Sequence, residues 1–153
     1  MSIEDNKLLA RRYIEEAVGR GDKSVLADLM TADATSFHTR YQSAASAEEG
    51  RIQAEKTLRT GLPDLQVAVD ELIAEADRVV ALWHYTGTHL GEIWDVPATG
   101  RRLKVDNITL FRFRDGRIAH TTTLADRMSV AVQIGSVGNY APVIAAAAHA
   151  ASQ

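Results

Sequence analysis

The stretch "RLKVDNITLFRFRDGRIAHTTTL", residues 102–124, constrains the fold more than any other part of the chain. It alternates apolar and polar residues on both sides of Asp115-Gly116, the mark of two long antiparallel strands joined by a tight turn. A three-residue loop, Arg114-Asp115-Gly116 with Gly116 in a left-handed bulge position, pairs Phe113 with Arg117, Thr109 with Thr121 and Asn107 with Thr123. Asn107, Thr109, Phe111, Thr121 and Thr123 then share one face. A two-residue Asp115-Gly116 loop is the alternative; it shifts the register by one and moves His120 beside Phe111. We expect the three-residue loop, because it puts glycine where a positive φ is needed. The resulting face mixes hydroxyls and an amide with one ring, so it is either a pocket wall or a hydroxyl ladder on a solvated sheet.

A second β-rich segment, "LQVAVDELIAEADRVVALWHYTGTH", turns near residues 75–77 and predicts another antiparallel pair over 65–73 and 78–89. In its second strand Ala81, Trp83, Tyr85, Gly87 and His89 fall in one phase. Trp83 and Tyr85 offer planar surfaces with one polar handle each, suited to an aromatic-ligand pocket or to the core. His89 alone reads as a structural histidine, and its functional weight comes from sharing their phase.

The N-terminal third has helical periodicity instead. Leu9, Tyr13, Ile14, Ala17 and Val18 recur at helical spacing until Gly21-Asp22, and Asp22 can cap a short second helix through Leu29. A third helix, with Ser46 and Glu49 in capping-box register, stops at Gly61 and Pro63. Helices followed by strands indicate an α+β fold with the helices over one face of an antiparallel sheet. Residues 1–153 read as a single domain, with 136–153 as a tail or a short helix. Met128, Val130 and Val132 read as packing groups.

Composition narrows the chemistry. A net charge of -3, from 17 basic and 20 acidic residues, offers no broad cationic surface for nucleic acid. The absence of cysteine removes disulfides, thiol catalysis and thiolate metal sites, and the five histidines lack compact ligand spacing. No run of 18 apolar residues suggests a membrane span, and the acidic start does not resemble a secretory signal, so a soluble, cytoplasmic protein is expected. No dinucleotide or P-loop glycine pattern is present.

Residues 63–118 are similar to the SnoaL-like polyketide cyclase family. The resemblance rests on Pro63-Asp64, Asp77-Arg78-Val79, Thr86-Gly87-Thr88-His89, Gly91, Pro97 to Arg102, Phe111-Arg112 and Asp115 to Ile118. It extends more loosely from the first helix to residue 135. It implies a nuclear-transport-factor-like fold, a curved antiparallel sheet forming a cone closed by the N-terminal helices, with a deep pocket and commonly a homodimer. Ring-closing members work on aromatic polyketides by cofactor-free aldol chemistry, and relatives hydroxylate anthracycline-type rings in antibiotic biosynthesis.

The resemblance carries over only in part at the catalytic positions. Those enzymes place an Asp-x-x-Asp arrangement on the last strand, supported by a histidine next to it. Here Thr123 takes the place of the first aspartate, Asp126 matches the second, and Thr109 replaces the histidine. A hydroxyl is too weak an acid or base to substitute for a carboxylate. The resemblance therefore implies a hydroxylase-type enzyme ahead of a cyclase, with a non-catalytic binding protein as the contrasting class. Asp126 and His89 are the candidate proton-handling pair, and Trp83, Tyr85, Trp94, Asn107, Thr109, Phe111, Thr121 and Thr123 the candidate substrate contacts. Trp94 either caps the cavity or packs at its rim or in a dimer. No tightly bound cofactor or metal is expected, and hydroxylation needs molecular oxygen and a separate reductase, or substrate-assisted oxygen chemistry.

Overall fold

The computed structural model describes residues 2–38 and 55–137. Helix α1 (Ile3–Arg12) starts in a capping box: Ser2 Oγ accepts from the Asp5 amide at 3.1 Å, and Asp5 Oδ2 accepts from the Ser2 amide at 2.8 Å. The helix widens into a π-helical stretch, Tyr13–Arg20, which ends at Gly21 with φ 70°. Its inward residues Ala10, Ile14 and Ala17 are buried, with Leu9, Tyr13 and Val18 packed beside them, as the apolar spacing predicts.

Asp22 accepts from the Ser24 amide at 3.0 Å and starts the 3₁₀ turn Lys23–Val25, which leads into α2 (Leu26–Leu29). The described part of α3 covers 55–61 and stops ahead of Pro63. The expected cap at Ser46 and Glu49, and the tail beyond residue 137, lie outside the described residues.

Five strands follow: β1 (Met30–His38), β2 (Gln66–Glu75), β3 (Arg78–Thr88), β4 (Arg102–Arg114) and β5 (Arg117–Ala125). Their order in the sheet is β1-β5-β4-β3-β2, and α4 (Arg127–Ile134) closes the described chain. Strands β2 to β5 form the expected antiparallel run, but β1 lies parallel to β5, so the sheet is mixed. Sequence reading misses β1 for a physical reason. "MTADATSFH" contains no valine or isoleucine, and an edge strand buries too little to impose a clear alternation.

The longest hairpin corrects one expectation and explains why its consequence survives. The loop is the two-residue one, with Arg114 opposite Arg117 and positive φ at both Asp115 (50°) and Gly116 (75°), a twist that suits paired strands. The pairing then jumps between Arg112 and Phe113, which leaves Ala119 as an extra residue and sets Thr109 opposite Thr123 and Phe111 opposite Thr121. Turn and bulge together move the register by two residues from the expected pairing. An even shift preserves the faces. Asn107, Thr109, Phe111, Thr121 and Thr123 therefore do share one face, while His120 pairs with Arg112 on the other and bonds to Thr35 and Thr122.

Buried residues alternate with half-buried ones along β3 and mostly with exposed ones along β4. Their buried phase faces the helices, and Val79, Val105, Phe111, Leu103 and Ile118 join Ile14, Leu29 and Leu62 in one core. Register jumps in β1, β2 and β5 add curvature to this unclosed sheet. No helix among the described residues is long and apolar enough to cross a membrane.

Candidate functional site

Between the concave sheet face and the helices lies a cavity of about 180 Å³. Its floor comes from four adjacent strands: Ser36 on β1, Thr121 and Thr123 on β5, Asn107 and Thr109 on β4, and Trp83 and Tyr85 on β3. Tyr13, Ala17, Val18, Leu26 and Leu58 supply an apolar wall from the helices. Strand alternation brings every second residue of the floor inward, which is why residues far apart in sequence converge here.

The floor is knitted by side-chain hydrogen bonds. Trp83 Nε1–H donates to Thr109 Oγ1 at 3.0 Å, and Thr109 Oγ1 lies 3.0 Å from Thr123 Oγ1. Thr121 Oγ1 donates to Ser36 Oγ at 3.0 Å. Asn107 Nδ2 donates to the Val105 carbonyl at 3.1 Å, which turns its amide oxygen away from that carbonyl. Buried threonines are tolerated here because each hydroxyl has a partner. Burial pushes the Tyr85 phenol well above its ordinary range, with Asp126 adding to the rise and Arg127 opposing it, so Tyr85 is a neutral donor at working pH.

Charged groups sit at the rim. Asp126 is exposed, lines the cavity and starts α4, its Oδ1 accepting from the Ser129 amide at 2.9 Å. Next to it the Arg127 guanidinium lies 4.5 Å from the centroid of the Trp94 ring. Trp94 and Asp95 have φ of 52° and 63°, and Ile93 and Val96 exchange backbone hydrogen bonds of 3.1 and 2.9 Å across them. This is a two-residue turn with no glycine, and two side chains in the left-handed region cost about 1–2 kcal/mol each. Packing offsets that strain: Ile93 is buried against Gly61, while Trp94 meets Arg127 and lines the cavity. A second charged group, Lys23, Glu55 and Arg59, also lines the cavity, with Glu55 3.3 Å from Lys23 and 3.4 Å from Arg59.

Eight of the ten expected site residues therefore line one cavity: Trp83, Tyr85, Trp94, Asn107, Thr109, Thr121, Thr123 and Asp126. Phe111 does not. It is fully buried in the core, packed edge-on against Tyr13 with ring centroids 5.4 Å apart. His89 is also absent from the lining, and the expected pairing with Asp126 is not formed. Its ring is fully buried, with Nδ1 2.9 Å from Thr99 Oγ1 and Nε2 without a partner among the described residues.

The reason lies in the motif around it. The His89 amide donates to the Arg101 carbonyl and the Gly100 amide to the His89 carbonyl, while the Leu90 and Gly91 amides both donate to the Gly61 carbonyl. The Asp64 carboxylate accepts from the Thr88 amide at 2.6 Å and the Thr88 hydroxyl at 2.7 Å. A Cβ on Gly91 would stand 2.1 Å from the Thr60 carbonyl oxygen, and one on Gly87 would stand 2.8 Å from Leu62 Cβ. This segment is a clasp that ties the end of β3 to the end of α3 and to the turn before β4. His89 fills its interior.

Sequence reading also misses much of the helical and rim lining, and among the polar residues it misses Ser36, Lys23, Glu55 and Arg59. Ser36 belongs to the unrecognised strand. Glu55 and Arg59 stand at helical i,i+4 spacing, a visible signal, but nothing local says that their helix faces a cavity. Among the described residues no group of three or more histidine, aspartate or glutamate side chains could hold a metal ion.

A family model of SnoaL-like polyketide cyclases matches residues 8–134. A protein from Jannaschia sp. CCS1, named as a SnoaL-like polyketide cyclase, is 26% identical with a TM-score of 0.73 over 88% of this chain and 94% of its own. IdmH from Streptomyces antibioticus, named as a polyketide cyclase, is 25% identical with a TM-score of 0.71 over 88% and 99%. AclR from Streptomyces galilaeus, named as a hydroxylase, has a TM-score of 0.75 over 88% and 98% at 24% identity, and shares the fold. Among curated proteins, none matches the chain. A cone-like sheet with helices over its concave face, a cavity between them, and a matching family model over most of the sequence lead to one conclusion: the chain belongs to the SnoaL-like polyketide cyclase family.

Proposed function

We propose that this family member is a polyketide-tailoring enzyme of the hydroxylase type, acting on an aromatic, anthracycline-like polyketide. The observation that carries this reading is the floor of the cavity. At the positions where ring-closing relatives hold a histidine and an aspartate, Thr109 and Thr123 bond to one another. Neither can move a proton at neutral pH, which weakens aldol cyclisation, while Trp83, Tyr85 and Trp94 suit a flat aromatic ligand.

Asp126, without His89, is the carboxylate proposed to remove an acidic phenolic or α-carbonyl proton. Hydroxyl donors of the floor and the neutral Tyr85 phenol stabilise the enolate oxygen. The enolate carbon then forms a C–O bond with molecular oxygen, giving a hydroperoxide. Two electrons and two protons, delivered through a separate reductase, cleave its O–O bond to leave the hydroxylated ring and water. This route needs no tightly bound cofactor.

The test is incubation of the protein with anthracycline aglycones under air, with and without a reductase system, followed by product mass. One added oxygen is expected, labelled from ¹⁸O₂. An isomeric product with a new ring supports the cyclase reading. Ligand binding without turnover supports a binding protein, which Asp126's employment as a helix cap also favours.

We also propose a homo-oligomer. Ile108 and Leu124, opposite one another on the outer sheet face, are 45% and 53% exposed. Such a face suits burial against a second copy. Sedimentation velocity is expected to give at least a dimer.

A further inference from the structure

We propose that the cavity floor is a polarised relay that presents hydroxyl donors, so that this end of the site selects a ligand carbonyl oxygen. The inference rests on the reading of the cavity as an aromatic-ligand site and adds the group that the floor recognises.

The argument is one of proton counting. An indole N–H can only donate, so Trp83 fixes Thr109 Oγ1 as an acceptor. Thr109 is 1% exposed, and its hydroxyl proton needs a partner. Among the described residues, the other hydrogen-bonding atom within reach is Thr123 Oγ1, at 3.0 Å. Thr109 therefore donates to Thr123. The remaining proton of the series belongs to Thr123, a half-buried residue on the cavity lining.

The neighbouring pair has the same sense. Thr121 is 3% exposed and donates to Ser36, whose own proton is left for the cavity that Ser36 lines. Two hydroxyl donors therefore emerge from adjacent strands. Each is polarised by the bond it accepts. Asn107, on β4, gives one Nδ2 proton to the Val105 carbonyl and keeps an amide oxygen that can accept, while the hydroxyl donors lie on the β5 and β1 side of the floor.

Trp83 is a positioning residue in this scheme. Its indole sets the direction of the Thr109–Thr123 bond. Without that donor the bond can reverse, with Thr123 donating to Thr109, and the cavity then meets an acceptor at Thr123.

The probes are 1-tetralone, which carries one carbonyl, tetralin, which carries none, and 1-naphthol, which carries a donor. Calorimetric titration of the wild-type protein is expected to show 1-tetralone binding about 10-fold more tightly than tetralin, the ratio for one or two neutral hydrogen bonds. Thr123→Val is expected to remove most of that preference and Thr123→Ser to keep it. Ser36→Ala should remove the smaller remainder. Trp83→Phe is the decisive variant, because it leaves both threonines in place and should raise the ratio of 1-naphthol to 1-tetralone affinity several-fold. A melting scan of each variant guards against misfolding, and Thr123→Ser and Ser36→Ala are the mild pair.

Equal binding of 1-tetralone and tetralin to the wild type overturns the relay while leaving the aromatic-site reading intact. Binding of none of the three probes overturns both. An unchanged naphthol-to-tetralone ratio in folded Trp83→Phe overturns the directional argument.

Discussion

The clasp around His89 and the floor around Thr109 are both buried polar structures, yet they differ in what their polar atoms leave over. In the clasp, most donors and acceptors are turned inward on the chain itself: His89 to Thr99, Gly91 to Gly61, Thr88 to Asp64. In the floor, the bonds run between neighbouring strands and end on hydroxyls that line open space. The clasp has distinctive residues, and its His89, Thr88 and Asp64 are not among those lining the cavity. The floor has ordinary threonines and faces it. Distinctive sequence, therefore, can mark a backbone that has few ways to close, and catalytic promise has to be read from where protons and lone pairs are left unspent.

The largest effect that would sharpen this contrast concerns Asp126, at the edge of the floor. Asp126→Asn keeps a capping side chain for the Ser129 amide but removes the carboxylate base. Turnover on a polyketide substrate is expected to fall by about 10²-fold or more, with the melting temperature and ligand affinity little changed. Turnover at the wild-type rate in a folded variant would assign Asp126 to the cap alone.

The clasp should respond in the opposite currency. Gly91→Ala puts a methyl group on the Thr60 carbonyl, and the main chain has to shift to admit it. We expect a loss of about 1–3 kcal/mol in urea unfolding, the usual range for overpacking, with the turnover of the folded fraction retained. Thr99→Val is a gentler probe. It removes the His89 Nδ1 partner and should cost about 0.5–1.5 kcal/mol without altering the substrate dependence of turnover. A selective loss of turnover with unchanged stability in either variant would bring the clasp into the chemistry.

The same contrast explains what was legible in the sequence. Alternation places Asn107, Thr109, Thr121 and Thr123 on one hairpin face and Trp83 and Tyr85 in one phase of the preceding strand, and the β3–β4 pairing joins the two sets in one cavity. Even a wrong turn left that face intact, because the bulge at Ala119 made the total shift even. Three things were not legible. Strand β1 lacks the apolar alternation that marks a strand, so Ser36 was missed. His89 shares a phase with Trp83 and Tyr85, but phase gives a face and not a depth along it, and beyond Thr88 the chain leaves the strand. The Lys23–Glu55–Arg59 group assembles across distant segments, which no local pattern records.

The smallest expected effect is an acid one, and it separates the regions by whether they titrate. Asp64 is the carboxylate of the clasp. Hydrogen bonds from the Thr88 amide, then from its hydroxyl, hold its pKa below the ordinary aspartate value, and Arg102 at 3.7 Å helps. A carboxyl with a depressed folded-state pKa contributes stability that is present above its unfolded value, about 3.9, and is lost as pH falls through the folded value. The clasp should therefore loosen below about pH 4. Asp64→Asn offers no titrating group there, so its disadvantage relative to wild type should be greatest at neutral pH and shrink towards pH 3. Other carboxylates with depressed values, such as Asp22 and Asp33, are common to both proteins and cancel in the difference. Paired urea titrations at pH 7 and pH 3 measure it. The Thr109–Thr123 floor contains no group that ionises over this range, so Thr123→Val should differ from wild type by the same amount at both pH values. A constant difference for Asp64→Asn as well would mean that its hydrogen bonds to Thr88 do not depend on the carboxylate charge.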